Sequence, residues 1–226
     1  MTECWHVTNW VRKMKKTNKF LTISAAILLS IATTNLTYAN EIQAYTCAEE
    51  YKKVTTEGKI CEALDKLKDT VGNFSREAVL GENLTNRPIK IQFYELSSIK
   101  PQYASYDALG MKKKNQLYIY INQKHYNAPP EALAALLSHE ALHQDEYNSI
   151  NEETYAWTME ATVWADLCKK NPQLRHNKTS SLASRENILL KMLENANYSN
   201  VLIKNTVVNH PGYKKLPQKS PGFDKF

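Results

Sequence analysis

Residues 139–143 read His-Glu-Ala-Leu-His, two imidazoles four positions apart around a carboxylate. What that triplet can do depends on the backbone beneath it. On a helix, positions four apart stack on one face, so both rings can reach one cation while Glu140, a fraction of a turn around, reaches a water on it. The preceding residues 131–138, "EALAALLS", supply a helix, and Leu133, Leu136, Leu137 and Leu142 make it apolar enough to carry the motif into a partly dry cleft. Asn127-Ala-Pro-Pro opens that helix, because a proline in the first turn gives up no hydrogen bond, and the pattern predicts it from Pro130 to Glu146. The plainer reading of the same residues is a solvated His/Glu face.

A catalytic zinc site needs a third protein ligand and an open fourth position. After the break "YNSIN" a second helix is predicted to run to about Lys169. At 100° per residue, Glu153 projects from the middle of its apolar face, among Ala156, Trp157, Ala161 and Trp164. Glu152 falls at the edge of that face and has the S-x-x-E spacing of a capping box with Ser149. Glu153 is therefore the expected ligand, with Glu152 as its substitute. Glu160 lies two turns further along the same face, where an unpaired carboxylate is costly. It is expected to accept the second ring N–H of a ligand histidine, or else to form a salt bridge with a basic residue.

"SHEALHQ" followed by "ETYAW" resembles the zincin metallopeptidases, in particular the glutamate-zincin branch, in which a second helix supplies an E-x-x-A ligand. The resemblance covers about residues 89–168. It implies an α+β fold, a small zincin-like domain in which a short mixed sheet packs on the H-E-x-x-H helix and the ligand helix that follows. An edge strand, here "QLYIYIN", would lie over the cleft. It further implies Zn²⁺ on His139, His143 and Glu153, Glu140 as the catalytic base, and a peptide or protein substrate. One position departs from the family, since the site two past the second histidine is usually apolar and here is Asp145.

The elements around this centre are ordinary. Residues 45–70 suggest two helices broken near Gly58. Residues 89–95 alternate Ile89, Ile91 and Phe93 on one face, and 116–122 form a second strand. A third strand is possible over Tyr103–Leu109, before a turn at Gly110–Asn115, with Lys112-Lys113-Lys114 at a solvated hairpin tip. A last helix is expected at 184–197. An oxyanion donor is also needed. His125, Tyr126 and Tyr155 are candidates, and the sequence singles out none of them.

The N-terminus reads as an address. From Met14 there is a basic start, an apolar run from about Phe20 to Ala32, and small residues ending at Ala39, the layout of a secretory signal peptide. Residues 1–13 are an unlikely n-region, so Met14 is a candidate initiator. The run is short for a membrane span, so no stable insertion is expected after cleavage, and an uncleaved anchor is the alternative. The predicted organisation is a leader at 1–39, one catalytic domain at 40–204, and a loosely held tail at 205–226. The whole chain has 226 residues and a formal charge of +6. Without the leader's five Lys/Arg and one Glu, 24 basic and 22 acidic residues leave +2. With no basic stripe interleaved with aromatics, nucleic-acid binding is not expected.

Cys47, Cys61 and Cys168 remain in the exported chain. Cys47 and Cys61 are spaced to staple the first two helices in an oxidising compartment, or all three stay as thiols. Two competing classes are an exported non-catalytic protein that zinc merely stabilises, and an exported helical binding protein whose motif is accidental. A fourth protein ligand would mark the first. Donor atoms that fail to converge would mark the second.

Overall fold

The structure, a computed structural model, describes residues 45–84, 86–144, 147–221 and 223. The expected leader and Asp145 lie outside the described residues. In chain order the elements are α1 (Gly58–Leu67), α2 (Asn73–Leu80), β1 (Lys90–Tyr94), β2 (Ala108–Lys113) and β3 (Gln116–Asn122). They continue with α3 (Pro130–Glu140), α4 (Ile150–Lys170), α5 (Ser181–Asn195) and α6 (Val201–Asn209). The class is α+β, with six helices and one small mixed sheet among the described residues.

A helix that is apolar on every side must be surrounded. Residues Ala132–His139 of α3 are all buried, because α1, α4 and the sheet enclose them. The sheet's inner face meets α3 through Ile91 and Phe93 of β1 and Leu117, Ile119 and Ile121 of β3. Burying each such Leu or Ile contributes about 2 kcal/mol.

The strand order is β1-β3-β2, with β1 parallel and β2 antiparallel to β3. This corrects the expectation for "QLYIYIN". That strand is β3, and its ladder groups are shared with a neighbour on each side, so it is central. β2, like β1, is an edge strand. It begins at Ala108 and continues through Lys112 and Lys113, leaving Lys114 and Asn115 at the tip with φ of 48° and 65°. Two left-handed residues in a row are what a tight hairpin turn requires. Tyr103 sits instead in a 3-10 turn, Pro101–Ser105.

Three further expectations change. The first of the two N-terminal helices is only a 3-10 turn, Glu49–Tyr51. It is fastened to α1 by a Cys47–Cys61 disulfide, while Cys168 stays a buried thiol. The motif helix stops at Glu140, short of Glu146. Its last turn tightens, as Leu142 N–H bonds the His139 carbonyl (3.0 Å) and His143 N–H the Glu140 carbonyl (3.3 Å). The Gln144 side chain covers the Ala141 carbonyl.

The segment beyond Asn205 does not behave as a loosely held tail. Ile203 and Val207 of α6 are fully buried against Ile150, Ala161, Leu189 and Leu193, with Tyr213 and Leu216 packed alongside. Ser220 is buried as well.

Candidate metal centre

α3 and its tightened terminal turn present His139 and His143, and the first turn of α4 presents Glu153 beside them. The two Nε2 atoms lie 3.2 Å apart. The Glu153 carboxylate sits 3.8 Å from each, by Oε2 to His139 and by Oε1 to His143. All three donors fall within 4.8 Å of one another. A tetrahedral ion with bonds of about 2.1 Å requires separations of about 3.4 Å.

Each imidazole is held from behind. His139 Nδ1 lies 3.1 Å from Glu160 Oε2, and His143 Nδ1 lies 2.8 Å from Glu152 Oε1. A carboxylate only accepts, so each Nδ1 carries a hydrogen, and a ring with no second hydrogen turns an Nε2 lone pair toward the other. Facing lone pairs at this distance repel unless a proton or a cation lies between them. Glu153 Oε2 is buried with no hydrogen-bond partner, while Asn148 donates its side-chain amide to Oε1. The donor set thus fits a divalent cation: two imidazole nitrogens, one orphaned carboxylate oxygen and an adjoining cleft.

Glu160 is fully buried between His139 and Arg185, whose Nη1 and Nη2 each reach a carboxylate oxygen at 2.8 Å. Glu160 therefore makes both contacts at once, to the His139 ring nitrogen and to the Arg185 guanidinium. Burial opposes its ionisation, but Arg185 and then His139 outweigh that and keep its pKa low. Glu186 shares the same guanidinium at 3.2 Å. Burial, then the charge of Glu160, pushes Glu186 well up.

Glu152 departs from its predicted place. Ser149 does cap α4, accepting the Glu152 N–H at 3.2 Å. The Glu152 side chain, however, turns away from the cap to His143 and Ser220. Sequence reasoning gave it the helix end because only local partners were visible.

Glu140 lines the same cleft as the three donors. The cleft measures about 470 Å³ on the β2 side, bordered by Ala108–Lys112, Tyr147 and Tyr213. It adjoins about 550 Å³ bordered by Trp157, Arg185, His210 and Tyr213. Burial first, then nearby Glu153, raises the Glu140 pKa, partly offset by the histidines. For Glu153 burial is outweighed by His139 and His143, and its pKa falls.

The proposed oxyanion candidates lie elsewhere. Buried His125 is bonded to Asp107 at 2.7 Å, Tyr126 packs on Phe93, and Tyr155 packs on Phe223. Sequence reasoning missed Tyr213, which lines both parts of the cleft, with the Trp157 Nε1 3.3 Å from its hydroxyl. Burial, and next the charge of Glu153, pushes its phenol well up, so it stays a neutral donor. The signal was present in Ile203 and Val207, a helical spacing that would have extended the fold past residue 205.

No protein-family model, curated protein or solved structure matches the chain.

Proposed function

We propose that the protein is an exported zinc-dependent metallopeptidase, and more narrowly a small glutamate-zincin. One observation carries this reading: two imidazoles, each tied to a carboxylate through Nδ1, aim their free nitrogens and the unpartnered oxygen of Glu153 at one point beside a cleft. His139, His143 and Glu153 would hold Zn²⁺, which supplies Lewis-acid activation of water and of the scissile carbonyl. Glu140 takes the proton of the attacking water and passes it to the departing amine, a transfer that its raised pKa favours. The Tyr213 hydroxyl is the donor we assign to the developing oxyanion.

An extended peptide would enter along β2. That strand leaves one edge unpaired along the cleft, and a Cβ at Gly110 would meet nothing within 4 Å. Main-chain hydrogen bonds to such an edge hold a substrate as an added strand. The Cys47–Cys61 disulfide supports export to an oxidising compartment, and no helix among the described residues is long and apolar enough to cross a membrane.

A structural zinc site would have a fourth protein ligand. Among the described residues only His139, His143 and Glu153 form such a group, which favours the catalytic reading. The test is metal analysis of the purified protein together with a peptide-library digest by wild type and Glu140→Ala. Stoichiometric zinc in both, with cleavage by wild type alone, is expected. Equal cleavage by both removes Glu140 from the chemistry, and a metal-free wild type removes the site.

A further inference from the structure

Five contacts bind residues 217–220 to the start of α4. The carbonyls of Pro217 and Gln218 accept the N–H groups of Ile150 (2.9 Å) and Asn151 (3.2 Å). These are first-turn amides with no partner inside the helix. The Gln218 side chain reaches Asn151 at 2.6 Å. Ser220 is 2% exposed and sets its Oγ 2.9 Å from Glu152 Oε2 and 3.2 Å from Ser149 Oγ.

Only the Ser220 contact leads toward the metal centre. Glu152 uses Oε1 for His143 Nδ1 and Oε2 for Ser220. A carboxylate held at both oxygens cannot rotate, and its orientation fixes that of the ring it serves. Groups behind a ligand histidine set its tautomer, direction and basicity.

We infer that Ser220 is a positioning residue for the metal centre, acting through Glu152 on His143, so that the segment 217–220 sets cation affinity. The inference rests on the zinc reading proposed above. It makes the site conditional on the docking of one segment, since the hydroxyl arrives only when Pro217–Ser220 lies across the start of α4. A chain trimmed before Ser220 keeps every ligand and loses the lock on one of them.

The test measures Zn²⁺ affinity of the full-length protein by competition with a chromophoric chelator. Wild type is compared with Ser220→Ala, Gln218→Ala, Glu152→Gln and the Ser220→Ala/Glu152→Gln double variant. Metal-free melts check that each variant folds. Ser220→Ala should bind Zn²⁺ about tenfold more weakly, at the lower end for groups behind a ligand. Gln218→Ala, which removes a side-chain contact of the same segment and leaves its backbone bonds to Ile150 and Asn151 in place, should match wild type.

In the Glu152→Gln background, Ser220→Ala should cost almost nothing further, because its route to His143 is already broken. A merely structural role would instead weaken binding by the same factor in both backgrounds, and that result overturns the inference. So does wild-type affinity in Ser220→Ala. A wild type that binds no Zn²⁺ overturns the underlying site reading instead, which separates the two failures.

Discussion

His139 and His143 face each other Nε2 to Nε2 at 3.2 Å, while the Nδ1 of each is bonded to a different carboxylate of α4, Glu160 and Glu152. α3 supplies His139 and the tightened turn after it His143, and α4 supplies the acid that joins them and the two acids behind them. Replacing Glu160 by Gln keeps the shape and removes the charge that strengthens His139. Zn²⁺ affinity should fall about 10- to 100-fold. Chelator competition reads this directly, and an unchanged dissociation constant would sink the role given to Glu160.

Tyr213 should matter to turnover and not to metal loading. Tyr213→Phe leaves the ring against Trp157 and takes away the donor. We expect kcat on a cleaved library peptide to drop about 100-fold, the scale for losing one oxyanion donor. Zinc content should stay at wild-type level. A variant with full kcat would return the search for this donor to the other cleft residues.

Acid should loosen the junction between β2 and α5. Burial raises the Asp107 pKa, but His125 first, then Arg185 and Lys124, outweigh it and leave the carboxyl well below the usual range. A depressed folded value contributes stability that is complete above the unfolded value of about 4 and is lost as pH falls through the folded one. Urea unfolding of wild type should therefore weaken progressively below about pH 4. Asp107→Asn, less stable at neutral pH, should show a flatter acid limb. Parallel limbs for the two proteins would exclude Asp107 as a source.

The Cys47–Cys61 bond closes a separation of 14 residues. Cross-linking a loop of that length contributes about 3 kcal/mol in the chain-entropy account, or roughly 10 °C in Tm for a chain of this size. The Cys47→Ser/Cys61→Ser pair should melt lower by that amount. A shift under about 2 °C would assign the anchoring of the 45–57 segment to other contacts.

Much of the site could be read from residues alone. The four-residue spacing of His139 and His143 and the angular position of Glu153 on α4 follow from helix periodicity, and both survive in the structure. What failed depended on partners distant in sequence. Glu152 looks like a cap because Ser149 is three residues away, whereas its actual partners are His143 and Ser220. The edge strand was misassigned because alternation shows that 116–122 is a strand but says nothing about its neighbours. Residues 205–221 looked unfolded because Lys, Pro and Gly outnumber the apolar residues, yet Tyr213, Leu216 and Ser220 each find a buried contact.

The disulfide holds α1, which packs on one side of α3, and a cation shared by His143 and Glu153 would join the end of α3 to α4, ten residues on in the chain. α3 is then fastened between a covalent clip and an ionic one. A reducing agent opens the first and a chelator the second, giving two separate chemical handles on a single helix.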